Sequence, residues 1–449
     1  MQAVILAGGR GTRLGDMTLE IPKPMLLMGK KPLLHYQVDL LSKYGVKEII
    51  ILVNYLKDPI MNYFGDGSKF HVKIRYFEEI TPLGTVGGIK EIEEWLTGDF
   101  LVLYGDVMIN MDLARLIAFH QLKYSQCTLV LHPNDHPYDS DLVEINTTGR
   151  VVAFHSKPHD PEHTYHNLVN AGAYVLSPKV FPFLEKGIKA DFGRDIFPGI
   201  FSRLPMFGYR TTEYLKDMGT PERLEKVRQD LESGRIGNSS YEYPQKAIFL
   251  DRDGVLNEER SYISKPEELV LFDFTPAAVR KINQSGYLSI VVTNQSAIAR
   301  NLCTEEDIQE IHRSLETTLG WDKAWLDGIY YCPHHPDKGF PEENPKYKID
   351  CDCRKPRTGM FRKAAEDFNI NMGDSFMIGD SEHDIQAGIN AGCVTLGVRT
   401  GYGIKKTKRL PDFMFNNLAE AVDFIVDDPL RPYFDKIFAK YCEIKENRP

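Results

Sequence analysis

Short apolar runs punctuate this chain, and between them lie stretches whose apolar residues recur every three or four positions. Residues 3–7 (Ala-Val-Ile-Leu-Ala), 48–53 and 100–104 read as strands, and residues 33–42 as an amphipathic helix. Runs with no polar alternation suit strands covered on both faces. The rhythm fades near residues 228–244, where Ser233-Gly234-Arg235-Ile236-Gly237-Asn238-Ser239-Ser240 has the polar, Gly/Ser-rich character of a linker. It restarts at 246–250 and continues through 287–293, 328–332 and 375–379, with helix-period segments between. This alternation predicts α/β layers around mostly parallel sheets. We expect one domain over 1–231, a linker over 232–244, a second domain over 245–426 and a Pro-broken helical tail over 427–449. No fixed-period repeat or low-complexity tract interrupts the pattern.

The composition narrows the class. The chain has 449 residues, 42% hydrophobic and 26% charged, enough apolar side chain for more than one core and unlike a disordered or collagenous chain. Its net charge of −9 supplies no global positive field, so neither nucleic acid nor a membrane surface is expected as partner. Apolar runs are short and no basic stretch with a long apolar core opens the chain, which predicts a cytoplasmic protein without signal peptide or membrane span. Three of the seven cysteines, Cys332, Cys351 and Cys353, crowd beside histidines, favouring metal thiolates in a reducing compartment. Oligomeric state is open, a homo-oligomer included.

Candidate chemistry follows the strand ends. Straight after the first strand comes Gly8-Gly9-Arg10-Gly11-Thr12-Arg13, glycines that let backbone N–H groups approach phosphates beside two arginines. It lacks the Lys-Ser/Thr pair of a Walker A loop, and Leu14 stands where a dinucleotide loop needs glycine. Pro22-Lys23-Pro24 presents a lysine on a stiffened backbone. Leu83-Gly84-Thr85-Val86-Gly87-Gly88 offers a second close-approach loop. Asp106 ends the strand at 100–104, and Asp217 offers a second carboxylate that could join it on Mg²⁺.

In this order the segments resemble the sugar-nucleotide pyrophosphorylase (sugar-1-phosphate nucleotidyltransferase) family over roughly residues 1–230. The resemblance implies a Rossmann-like mixed sheet. It implies that Gly8, Gly9, Gly11, Thr12, Arg13 and Lys23 handle a nucleoside triphosphate, that Gly84 and Thr85 lie near base and sugar, and that Asp106 and Asp217 bind magnesium. Lys157 and Asn170 match the family's phosphate and sugar contacts. Ser156-Lys157-Pro158 replaces the commoner Glu-Lys-Pro, and the nearby Asp135, Asp139 and Asp141 are read as a solvated loop or as contacts to extra hydroxyls. The implied reaction is in-line attack of a sugar phosphate on the α-phosphorus, aided by alignment and charge neutralisation.

A second set begins at Asp251-Arg252-Asp253-Gly254, straight off the strand at 247–250: two carboxylates at i and i+2 permit one to attack phosphorus and the other to protonate the leaving oxygen. Thr293-Asn294-Gln295, Arg354-Lys355-Pro356 and Gly379-Asp380-Ser381-Glu382-His383-Asp384 follow at later strand ends or loops. Together they resemble the haloacid dehalogenase superfamily, whose fold is a Rossmann-like parallel sheet. That implies Asp251 as nucleophile, Asp253 as acid, and Mg²⁺ on Asp251, the Asp253 carbonyl and Asp380, with Asp384 binding or orienting that shell. Thr293, Arg354 and Lys355 would hold phosphoryl oxygens, and Arg252 and Asn294 would contact substrate. Cys332-Pro333-His334-His335 and Cys351-Asp352-Cys353 supply four ligands for a structural zinc, with His334 or His335 as the imidazole. That loop resembles the histidinol-phosphate and heptose-bisphosphate phosphatases.

Pairing a nucleotidyltransferase with a sugar-bisphosphate phosphatase has an internal logic, because removing the distal phosphate of heptose 1,7-bisphosphate yields the acceptor for nucleotide transfer. The resemblance therefore implies GDP-heptose synthesis from GTP, the acceptor being D-glycero-α-D-manno-heptose 1-phosphate. A mannose- or hexose-type transferase fused to a different phosphatase is the alternative, and a scaffold of inactive domains is a third reading that the intact site residues oppose.

Overall fold

The computed structural model describes residues 1–160, 162–337, 343–404 and 409–427. The chain forms two compact units, Met1–Tyr243 and Pro244–Pro449. Beyond Asp427, the expected tail lies outside the described residues.

The first unit is built on a nine-stranded mixed sheet: β1 (Gln2–Leu6), β2 (Glu48–Val53), β3 (Lys73–Glu78), β4 (Phe100–Tyr104), β5 (Cys127–His132), β6 (Leu142–Ile145), β7 (Val151–His155), β8 (Val169–Leu176) and β9 (Met206–Arg210). Its path runs β7-β6-β8-β4-β1-β2-β3, with β5 beside β8 and β9 beside β5. Ala3 and Ile5 enter one core and Val4 the other, so the unbroken apolar run of β1 is explained by burial on both faces. β1 pairs in parallel with both β2 and β4. The chain therefore steps outward from β1 to β3 and then returns to β4 on β1's other side. That reversal falls beside β1 and β4, whose carboxyl ends are the place where α/β sheets of this kind bind ligands. An antiparallel ribbon of Val107–Asn110 with Tyr214–Asp217 sets Asp217 opposite Val107, one residue from Asp106.

The residues expected to form a linker mostly pack onto the first unit. Arg235–Asn238 is a short helix, Ile236 and Tyr241 are buried, and the Glu213 carboxylate accepts the Tyr241 N–H at 2.9 Å. Two apolar anchors inside a polar stretch suffice to dock it.

The second unit holds an all-parallel six-stranded sheet of β10 (Ala247–Leu250), β11 (Leu288–Asn294), β12 (Gly328–Cys332), β13 (Phe376–Gly379), β14 (Val394–Val398) and β15 (Phe413–Phe415), in the order β12-β11-β10-β13-β14-β15. Ile248 and Leu250 fill one core, while Phe249 meets Phe361 on the opposite face at 4.8 Å between ring centroids. Here too the order reverses beside the first strand, between β10 and β13. No helix among the described residues is long and apolar enough to cross a membrane.

Candidate active sites

In the first unit, the chain leaves β1 through Gly8-Gly9-Arg10-Gly11. A Cβ on Gly8 would come within 2.9 Å of Glu79 Oε2, and Gly11 adopts φ +64° against Thr18 and Lys23, so the loop is close-packed on its inner side. Gly9, Thr12 and Arg13 face outward. Lys23, held between two prolines, is buried and donates to Asp106 Oδ2 at 2.7 Å. Asp217 accepts from Arg223 Nη1 at 2.9 and 3.0 Å and from the Gly219 N–H at 2.8 Å. Burial acts to raise the Asp217 pKa, but Arg223, the Gly219 N–H and Lys23 outweigh it and hold the carboxylate below its ordinary range. The chain of alternating charges continues through Arg223 to Asp139, 4.0 Å away, and from Asp139 to Lys157, whose Nζ donates to the Asp139 carbonyl at 2.9 Å.

The acidic stretch is thus engaged. Asp141 accepts the Lys157 N–H at 3.3 Å. Asp135 lies 3.7 Å from Lys216 and, despite burial, is kept well below the carboxylate range by His136 and Lys216. Two expected contacts also change character. Thr85 Oγ1 donates to Asp191 and accepts the Phe192 N–H, both at 2.9 Å, so its hydroxyl braces two loops; Gly84 sits so close that a Cβ would lie 2.3 Å from the Ala190 carbonyl. Asn170 lies in the same neighbourhood, with its Nδ2 3.1 Å from where a Cβ on Gly193 would stand. Sequence reasoning missed Arg223 and the buried Glu79, whose carboxyl burial pushes up against an opposing Leu83 N–H. Neither stands in a motif.

In the second unit, Asp251 follows β10 and Asp380 follows β13, adjacent strands that bring the two carboxylates together. Asp251, Asp380 and Asp384 place oxygens within 4.8 Å of one another. Lys355 Nζ reaches Asp251 Oδ1 at 2.9 Å and Asp384 Oδ1 at 2.5 Å, and donates to the Val292 carbonyl at 2.8 Å. Burial, then Asp384 and Asp380, push the Asp251 pKa well up against the opposing pull of Lys355. Burial and Asp384 likewise push Asp380 up to about 7. A buried cluster this short of positive charge fits a divalent cation held by Asp251 and Asp380. Asp384 also accepts from the Ser381 N–H and hydroxyl, and so orients Lys355.

Asp253 is differently placed. Burial opposes its ionisation, but Arg252, Asn257 and Gln295 hold it below the usual range. This corrects the expectation for Arg252: its side chain is wholly buried, with donors on both Asp253 oxygens at 3.0 Å and on Gln295 Oε1 at 2.9 Å, so it braces the Asp251–Asp253 loop instead of facing outward. Asn294 likewise clamps the Lys355 backbone, accepting its N–H at 3.0 Å and donating to its carbonyl at 3.2 Å. The Thr293 hydroxyl accepts from Gln295 Nε2 at 2.9 Å. Gln295 and Asn257 were missed; their only signal was proximity to Thr293 and Asp253.

Cys332, His334, Cys351 and Cys353 converge with donor separations of 3.2–3.7 Å. These sulfurs are too far apart for disulfides, and tetrahedral zinc ligands have edges of roughly 3.4–3.8 Å. The set uses His334; His335 instead accepts the Asp337 N–H through Nδ1. The Cys332 and Cys351 thiols and His334, with burial opposing, bring the Cys353 thiol down to about 5, while the Cys353 contact and burial push Cys332 up and burial pushes Cys351 up, so the cluster shares its protons among three sulfurs. Arg354, the next residue, donates to the His334 carbonyl at 3.1 Å. The loop therefore anchors the backbone that delivers Lys355.

Comparison with known proteins matches a nucleotidyl transferase model to residues 2–234 and a HAD-hydrolase-like model to residues 352–421. The chain is 38% identical over 184 residues to D-glycero-beta-D-manno-heptose-1,7-bisphosphate 7-phosphatase of Haemophilus ducreyi, spanning 40% of this chain and 98% of that protein. It is 35% identical over 237 residues to mannose-1-phosphate guanylyltransferase of Mycobacterium tuberculosis, spanning 52% of this chain and 65% of that protein. Among solved structures, HddC from Yersinia pseudotuberculosis is 28% identical, with 51% of this chain and 99% of that one aligned at a TM-score of 0.45.

Proposed function

Because the chain belongs to the nucleotidyl transferase family over residues 2–234, and its second unit to the family of the heptose-1,7-bisphosphate 7-phosphatases, we propose that it makes GDP-heptose at two successive sites. The second unit removes the 7-phosphate of heptose 1,7-bisphosphate, and the first transfers GMP from GTP to the heptose 1-phosphate, releasing pyrophosphate. The observation that carries this reading is that one polypeptide joins a nucleotidyltransferase to a unit spanning 98% of a heptose-bisphosphate phosphatase. The guanylyltransferase relative supports GTP as donor.

In the phosphatase, the Asp251 carboxylate attacks phosphorus while Lys355, steered by Asp384, neutralises the phosphoryl oxygens together with the Thr293 hydroxyl. Asp253, kept ionised by Arg252 and Gln295, can take a proton from the water that hydrolyses the aspartyl-phosphate. To protonate the leaving oxygen it must first gain a proton, which a phosphate dianion beside it favours. Magnesium on Asp251 and Asp380 would supply the charge that this cluster lacks. In the transferase, the backbone of residues 8–12, Arg13 and Lys23 neutralise the triphosphate, and Lys157 meets the sugar phosphate. Asp106 and Asp217, brought near each other by the Val107–Asp217 pairing, would hold a magnesium ion that supplies charge neutralisation to the triphosphate.

Supplying purified protein and Mg²⁺ with heptose 1,7-bisphosphate and GTP should yield orthophosphate, then pyrophosphate and GDP-heptose. Transfer from UTP in preference to GTP, or no orthophosphate from the bisphosphate, would overturn the assignment.

A further inference from the structure

A third cluster of metal-ligating groups lies in the first unit, on residues that flank Lys157 at the end of the charge chain. Register pairs Ala153 with Glu144 and His155 with Leu142 across β6 and β7. Opposed residues share a face and so do residues two apart, which places the Glu144 and His155 side chains together. Their Oε1 and Nε2 atoms are 2.9 Å apart. His163, beyond the end of β7, lays its ring 4.3 Å from that of His155, centroid to centroid. One donor atom from each of the three residues lies within 4.8 Å of the others. Zinc bonds of about 2.1 Å to nitrogen and oxygen set tetrahedral donors roughly 3.4 Å apart, so small side-chain rotations close this set on an ion. The Glu144 and His155 side chains are 21% and 24% exposed, so the pair is not sealed from solvent.

We propose that Glu144, His155 and His163 form a binding site for a divalent transition ion. Two imidazoles and a carboxylate match zinc and cobalt, whereas magnesium and calcium take oxygen ligands. The site is distinct from the cysteine cluster in chemistry and in unit. Because His155 and His163 bracket Lys157, a bound ion would tie the segment carrying that lysine to β6, a mechanical role like that of a loop-closing zinc.

The test is metal content of the full-length protein after equilibration with micromolar zinc and removal of loosely held ion. His163→Ala should hold one zinc per chain fewer than the unaltered protein, and Glu144→Gln, which preserves side-chain shape, should show the same loss. Cobalt titration separates this site from the cysteine cluster: its equivalent should add visible absorption without thiolate-to-metal charge transfer, and both variants should lack that component. Equal zinc content in the unaltered protein and in folded Glu144→Gln would overturn the proposal, as would a lost component that carries thiolate charge transfer.

Discussion

At the end of β1 the candidate site is partly open: Arg13 is exposed and the Asp106 side chain is 40% exposed, although its partner Lys23 is buried. At the end of β10 the corresponding groups are enclosed, with Asp251, Lys355 and Asp384 side chains between 1% and 14% exposed. Both sites occupy the same place in their sheets, beside the first strand where strand order reverses. The difference follows from what each must do. Nucleotidyl transfer has no covalent intermediate, and its substrates bring most of the charge, so the partly exposed carboxylates and arginines, with Lys23 buried behind Asp106, can re-pair around them. A carboxylate that attacks phosphorus, the role we propose for Asp251, is a protein group that must be steered, and burial raises the electrostatic leverage of Lys355 and Asp384 upon it.

The sharpest break between the two sites should come from Asp251→Asn. If Asp251 is the nucleophile we propose, phosphate release should fall about 10⁴-fold or more while guanylyl transfer to heptose 1-phosphate is unchanged. Parallel phosphate and pyrophosphate assays decide; loss of both in a folded variant would end the comparison. Lys23→Ala should act in the opposite sense, lowering nucleotide transfer roughly 10²–10³-fold and sparing phosphate release.

Two smaller effects concern stability. If the cysteine cluster holds zinc as we propose, Cys351→Ser should lose that metal and lower the second unit's melting transition by roughly 10 °C or more in calorimetry, with the first unit's transition unmoved. The first unit has its own sensitive group, Glu213, whose carboxyl is pushed up to about 7 by burial against the opposing Tyr241 and Asp112 N–H groups. A raised carboxyl pKa means that the folded state binds the proton more tightly. Stability from this group is therefore present in mild acid, falls as pH rises from about 4.5 to about 7, and then levels at a cost on the order of 3 kcal/mol. Glu213→Gln should flatten that slope in the first unit alone, as pH-dependent denaturant midpoints would show.

Much of this was legible because it is local. Unbroken apolar runs located β1, β2, β4, β10 and β12, and short motifs singled out Lys23, Asp106, Asp251, Lys355 and the cysteines that the fold brings into contact with their partners. What escaped depends on long-range pairing. Nothing near Asp217 announces that its strand will lie against Val107–Asn110, or that Arg223 will grip it. Arg252 looks like an exposed cation in sequence, and only the fold reveals the pocket of Asp253 and Gln295 that neutralises it. Residues 233–240 read as a linker because Ile236 is a lone apolar residue there, yet one buried side chain helps fix the segment.

The central claim is that each unit carries a complete site and that the two act in order. Its most direct test is ³¹P NMR on a mixture of the Asp251→Asn and Lys23→Ala proteins given heptose 1,7-bisphosphate, GTP and Mg²⁺. Each variant alone should stop short of GDP-heptose, and the mixture should release orthophosphate first and then form pyrophosphate and GDP-heptose. A mixture that stays inert, or nucleotide transfer onto the bisphosphate before any orthophosphate appears, would contradict the account.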